Sequence, residues 1–312
     1  MKIIKNNIQA RNIKNAVVTI GTFDGVHLGH QAIFKEMRRI ADEIGGETVA
    51  VTFHPHPRQM LNIGKETLRF ICTQEEKMEK FEEFGIDNVL IIPFTKEFAG
   101  TSSDVFIRDY ILESIHPAVI VVGYDHHFGK NRMGDYEMLC KLGRHYGFKT
   151  VQVEAQDIHN VAVSSTKIRN FLWAGNVKAA NELLGYPYSV TGIVVRGNEI
   201  GRTIGFPTAN LDIPDEFMMI NNPGVYACQT LIDGEKHNAM ANIGVRPTIG
   251  DRAEGDFIIE VNIFDFDGDL YGKTLKVWFL DRIRDEEKFQ GLEALKIQLE
   301  QDRLDAKKML IL

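Results

Sequence analysis

His27 and His30 stand three residues apart, just after the turn-forming run Gly21-Thr22-Phe23-Asp24-Gly25. That spacing puts two imidazoles on one face of a helix. A helix entrance carries unpaired N–H groups and the positive end of the macrodipole, so it favours an anion, and imidazoles beside it can donate to phosphate oxygens. Gly21, Gly25 and Gly29 would let a bulky anion approach the backbone. Two histidines near a turn are more often surface residues, so the weight falls on the whole string GTFDGVHLGH rather than on the pair.

Three further stretches carry chemistry. In Ser164-Ser165-Thr166-Lys167-Ile168-Arg169, two cations follow hydroxyls in a first helical turn, where they oppose the dipole unless a bound anion removes the conflict. The plain alternative is two solvated cations, with Ile168 facing a core. The run GNEIGRTIGFPTAN, 197–210, lacks the Lys-Ser/Thr spacing of a P-loop. Its glycines, Gly201 and Gly205 among them, could still expose amides to phosphate. Beyond Pro207, the Thr208 hydroxyl and the Asn210 amide oxygen are hard ligands of the kind Mg²⁺ takes. In FIIEVNIF, alternation sends Glu260 and Asn262 to one strand face and Ile259 and Val261 to the other. A strand carboxylate is usually an exposed partner of a cation, and less often a base.

The elements needed to hold these residues are legible. Apolar β-branched runs at 16–20, 48–53, 88–93, 118–123 and 150–153 read as strands covered on both faces. Between them lie helices: one entered at His27 and stopped at Gly45-Gly46, one at 74–84 behind the capping box Thr73-Gln74-Glu75-Glu76, one capped by Ser102, and one at 135–146. This alternation specifies an α/β, Rossmann-like parallel sheet whose ligands sit at the carboxyl ends of the strands. After Gly185-Tyr186-Pro187 the period changes. Strands at 190–196, 224–232, 236–244, 257–264 and 273–280, with turn signals at Asp233-Gly234 and Asp267-Gly268, suggest an antiparallel β-barrel closed by a helix at 286–302. The expected domains are 1–185 and 186–312.

The 312 residues exceed the usual size of one hydrophobic core. With 44% hydrophobic and 25% charged residues the chain reads as globular, and its net charge of −7 disfavours long polyanions, so no nucleic-acid partner is expected. Cys72, Cys140 and Cys228 are odd in number and widely spaced, as in a reduced compartment. No apolar run approaches the roughly 20 residues that span a bilayer, and the polar start lacks a signal-peptide core, so a cytoplasmic protein without a membrane partner is expected.

The string GTFDGVHLGH resembles the nucleotidyltransferase signature. Together with SSTKIR, GFPTANL, NIGVRPTIG and EVNIFDFDGDLYG, it resembles the bacterial bifunctional riboflavin kinase/FAD synthetase family over essentially the whole chain. The resemblance implies an adenylyltransferase domain that converts FMN to FAD and a kinase barrel that converts riboflavin to FMN, with ATP as co-substrate, Mg²⁺ as cofactor and small molecules as partners. It puts His27, His30, Ser164, Ser165, Thr166 and Arg169 on the ATP motifs of the adenylyltransferase, with His27, His30 and Arg169 catalytic. It assigns binding to Gly21, Phe23, Asp24, Gly25, Gly29, Asp125 and Phe128, and to Gly201, Gly205, Pro207, Thr208 and Asn210 in the kinase. Thr208 and Asn210 fall on the metal motif and Glu260 on the catalytic base. The loop 123–129 reads GYDHHFG, with His126 where the family carries an aromatic. Rival readings are a nucleotidyltransferase making another dinucleotide, a class I aminoacyl-tRNA synthetase, and a noncatalytic flavin- or nucleotide-binding regulator. The PTAN barrel argues against the first, and the short, acidic chain without a KMSK-like loop against the second.

Overall fold

The computed structural model describes residues 1–4, 13–61, 68–158, 161–197, 199–245 and 257–310. The stretch 246–250 of the NIGVRPTIG motif lies outside them. The chain divides into two compact units, Met1–Leu68 with Thr73–Ser164, and Arg69–Cys72 with Ser165–Leu312.

The first unit is built on β1 (Lys2–Ile4), β2 (Val17–Ile20), β3 (Thr48–His54), β4 (Asn88–Pro93), β5 (Val119–Gly123) and β6 (Lys149–Val153), in the order β1-β4-β3-β2-β5-β6. Every pairing is parallel. Successive strand residues face opposite layers. Val17, Ala50, Val89 and Val121 pack under α1 (Leu28–Ile44) and α2 (Gln74–Glu83) through Phe34, Met37 and Phe81. Val18, Val49, Leu90 and Ile120 pack against Phe106, Ile107, Ile111 and Leu139 on the other face. Leu139 belongs to α3 (Tyr136–Tyr146). The expected capping box is present: Thr73 Oγ1 accepts from Glu76 N–H at 3.2 Å and Glu76 accepts from Thr73 N–H at 3.1 Å. The helix capped by Ser102 differs from a plain α-helix, widening to π geometry over Phe106–Leu112.

The second unit begins with α4 (Ser165–Trp173) and α5 (Val177–Leu184). It continues as a closed barrel of β7 (Tyr188–Val195), β8 (Ala209–Asp212), β9 (Gly224–Ile232), β10 (Glu235–Val245), β11 (Phe257–Ile263) and β12 (Thr274–Arg284), in the order β8-β11-β10-β9-β12-β7. The turn signal at Asp233-Gly234 joins β9 to β10 as a hairpin, with φ of 50° and 88° as a type I′ turn requires. Asp267-Gly268 does not join neighbours: β11 pairs with β8 and β10, and β12 with β9 and β7. The four-residue strand β8, absent from the expected set, occupies the place such a hairpin would need. The last helix, α6 (Leu292–Leu310), starts later than expected because β12 runs on to Arg284 and Gly291, at φ 116°, precedes the first turn.

Candidate active sites

The strand order reverses direction at β2, which has β3 on one side and β5 on the other. Such a switch point leaves a crevice beyond the carboxyl ends of the two strands. The chain leaving β2 turns there through Phe23, Gly25 and Val26, with φ of 51°, 77° and 37°, and Gln31 Nε2 braces the turn by donating to Val26 O at 2.9 Å. His27 is the N-cap residue of α1 and His30 lies in its first turn. Their rings stack with centroids 3.7 Å apart. A Cβ at Gly29 would lie 3.2 Å from the His27 ring, so glycine is what leaves that ring its room. One at Gly21 would lie 2.9 Å from the Phe23 ring. Phe23 sits edge-on to His30 at 5.2 Å, while Asp24 and His27 are buried. Burial holds the His30 pKa well below the ordinary imidazole value, and the nearby His27 and Lys77 lower it further. His30 is therefore neutral at physiological pH, a hydrogen-bonding group rather than a fixed charge, and its Nδ1 has no hydrogen-bond partner among the described residues.

The loop after β5 borders the same crevice. Asp125 is exposed in it and Phe128 is buried, closing a bridge to Gly134. His126 stacks on Phe128 at 5.7 Å, and burial pushes its pKa down to about 4, with His127 and Arg132 adding to the effect.

Ser164 ends the first unit. Ser165 opens α4 of the second, with Thr166 exposed, Arg169 half-buried and Ile168 in the core.

In the barrel, β8 carries Asn210 directly opposite Glu260 of β11, and Glu260 also faces Asn242 of β10. Side chains so paired have Cβ atoms about 5 Å apart. Ile259, Val261 and Ile263 are buried on the alternate face, leaving Glu260 half-buried on the other. Burial raises the Glu260 pKa, and the like charge of Glu286 raises it further. Asn262, on the same face, donates from Nδ2 to the carbonyl of Pro207 at 2.7 Å and so fixes the turn that presents Thr208. Gly201 lets that turn close: a Cβ there would lie 2.2 Å from Phe206 O, while Gly205 has φ 84°. A cavity of about 320 Å³ lies alongside, lined by Gly205, Pro207, Asn262, Asp265, Phe266 and Arg303. Asn242, Glu286 and the clamping role of Asn262 were not legible in the sequence, because only the strand register brings them to Glu260 and Pro207.

The two units correspond to two known families. The FAD synthetase model matches residues 9–167 and the riboflavin kinase model residues 184–310. The bifunctional riboflavin kinase/FMN adenylyltransferase of Listeria monocytogenes is 38% identical over 94% of this chain and 92% of its own. The chain belongs to the bifunctional riboflavin kinase/FMN adenylyltransferase family. Its Escherichia coli K12 member is 36% identical over 98% of this chain and 97% of its own. A solved structure described as a macrolide-efflux protein from Streptococcus pneumoniae superposes with a TM-score of 0.88 at 34% identity, covering 98% of both chains. Among the described residues, no helix is long and apolar enough to cross a membrane.

Proposed function

We propose that this chain phosphorylates riboflavin to FMN in the barrel and adenylylates FMN to FAD at the histidine-bearing helix entrance, with a functional division at 1–185 and 186–312. The observation that supports the reading is a parallel α/β unit and a closed β-barrel within one chain, each matched by its own family model. Working partners are then ATP, riboflavin and FMN, with neither nucleic acid nor membrane, in the cytoplasm.

At the first site an FMN phosphate oxygen attacks the α-phosphorus of ATP, a P–O bond forms, and pyrophosphate leaves with the electrons of the broken bond. FMN needs no base. The obstacle is repulsion between polyanions, so fixed donors matter most. His27 and His30 supply such donors, with the backbone amides of the α1 entrance; Gly21, Phe23, Asp24, Gly25 and Gly29 shape the turn that presents them. Asp125 and Phe128 border the flavin, and the hydroxyls of Ser164, Ser165 and Thr166 with the Arg169 guanidinium have the chemistry that suits phosphate oxygens.

At the second site Glu260 takes the proton of the terminal ribityl hydroxyl as that oxygen attacks the γ-phosphorus and ADP leaves. Its raised pKa makes it a stronger base than an ordinary carboxylate. Gly201 and Gly205 hold the loop against the phosphates beside the cavity. The donor set of Thr208 hydroxyl and Asn210 amide oxygen is hard oxygen and fits Mg²⁺. Among the described residues no cluster of three His, Cys, Asp or Glu forms a full metal cage, and a nucleotide-bound Mg²⁺ with one or two protein ligands needs none. When bound, Mg²⁺ would neutralise charge on the transferring phosphates.

Incubation with riboflavin, ATP and Mg²⁺, followed by separation of the flavins, should yield FMN and then FAD. Absence of both products sinks the proposal.

A further inference from the structure

The glycine-bearing stretch before Thr208 and Asn210 is tied down by a side chain that the mechanism above does not use. Gly197 lies directly against the Asn210 side chain: a Cβ there would stand 2.4 Å from Asn210 Nδ2 and 2.6 Å from its Oδ1. The place of the Asn210 amide therefore depends on where the backbone at Gly197 is held. Tyr271 grips the chain on both sides of that glycine. The Arg196 guanidinium lies over the Tyr271 ring, 5.3 Å from its centroid, and the Tyr271 hydroxyl donates to Glu199 Oε1 at 3.3 Å. Glu199 has φ 56° where it opens the helical turn Ile200–Thr203, in the left-handed region where a glutamate stays only when its surroundings hold it.

Tyr271 is itself fixed from the other direction. Its N–H donates to Asp269 Oδ1 at 3.0 Å, and the residues after it tie the turn to the end of β7: Gly272 N–H donates to Val194 O and Val194 N–H donates to Lys273 O, both at 2.9 Å. One ring, anchored to the strand that leads into the loop, thus holds the residues flanking Gly197. We propose that Tyr271 is a positioning residue for riboflavin phosphorylation, clasping Arg196 and Glu199 so that the Gly197 backbone keeps the Asn210 amide where it meets the phosphates of ATP. This rests on the reading of Thr208 and Asn210 as the nucleotide-side ligands of the kinase. Tyr271 acts through Gly197 and Asn210 and takes no part in the chemistry.

The test compares Tyr271→Phe, Tyr271→Ala, Glu199→Ala and Glu199→Gln with the unaltered full chain in riboflavin phosphorylation. Tyr271→Phe keeps the ring under Arg196 and loses the hydroxyl, and should raise the KM for ATP about threefold, the scale of one solvent-accessible hydrogen bond. Tyr271→Ala loses both contacts and should raise it about tenfold or more. Glu199→Ala should match Tyr271→Phe, and combining the two should be no worse than either alone, because both remove the same bond. Glu199→Gln, whose amide oxygen still accepts, should stay within about twofold of the unaltered chain. The KM for riboflavin, FMN-to-FAD turnover and the melting temperature of Tyr271→Phe should not move. In the free protein, trypsin should cut after Arg202 faster in Tyr271→Ala than in the unaltered chain. An unchanged KM for ATP, an additive double variant, an unchanged cutting rate, or a rise in both KM values with a lowered melting temperature, as a merely structural tyrosine would give, overturns the proposal. Glu260→Gln run alongside separates the two levels: if it too phosphorylates riboflavin at the unaltered rate, the reading of the kinase site has failed, whereas failure of the Tyr271 and Glu199 results alone leaves that reading standing.

Discussion

Glu260 shows how little of a residue's chemistry resides in its own side chain. An isolated strand carboxylate is an ordinary surface acid; here partial burial and Glu286 raise its pKa. A base with a raised pKa becomes protonated, and inactive, at a higher pH than an ordinary carboxylate. Riboflavin phosphorylation should therefore decline on acidification earlier than an unperturbed base would allow. Glu286→Gln removes the like charge, lowers the Glu260 pKa, and should move the acid limb of the kinase pH–rate profile to lower pH. The profile of FMN adenylylation should stay where it was. An unmoved kinase limb would show that Glu286 does not act on the proton acceptor.

Among the elements, β8 and α6 carry the most consequence for the kinase site. β8 has only four residues, and the turn before it is held by Asn262, whose amide is the donor to Pro207 O. Asn262→Ala leaves that carbonyl without its partner, at a cost of about 1–3 kcal/mol. Kinase activity should fall about tenfold or more with FMN adenylylation retained, as initial rates of each half-reaction would reveal. α6 is fastened by a buried ion pair: Arg284 donates to Asp302 at 2.8 and 2.7 Å, with the Asp302 side chain 1% exposed and Gln298 donating to the same carboxylate. Removing one member strands the other charge, so Asp302→Ala should cost about 3–5 kcal/mol. In calorimetry this would appear as a lower melting transition accompanied by loss of kinase activity.

For the molecule as a whole, two proposed activities on two different architectures predict separable defects. His30→Ala given riboflavin and ATP should accumulate FMN, with FAD formation down about 100-fold or more, the scale of one lost preorganised donor. Glu260→Gln should make almost nothing from riboflavin, losing about 100- to 10,000-fold as a missing general base does. Given FMN it should make FAD at the unaltered rate, and mixing the two variants should restore FAD synthesis from riboflavin. Failure of the mixture would mean that the two activities depend on each other within one chain.

The sequence by itself determined the two architectures and the residue types at both sites. The five long parallel strands, the Thr73 capping box and the Asp233-Gly234 hairpin are local patterns, set by burial on both faces, by backbone N–H satisfaction and by tolerance of positive φ. The short strands escaped it: β1 has three residues and β8 four, too few for a period to register, and only pairing of β1 to β4, and of β8 to β7 and β11, makes them strands. The tertiary structure alone decided that Asp267-Gly268 joins strands that are not neighbours, that Glu260 lies between Asn210 and Asn242, and that Phe81 comes to rest against Phe23. Those facts depend on barrel register and helix packing between residues far apart in the chain, which local propensity does not encode.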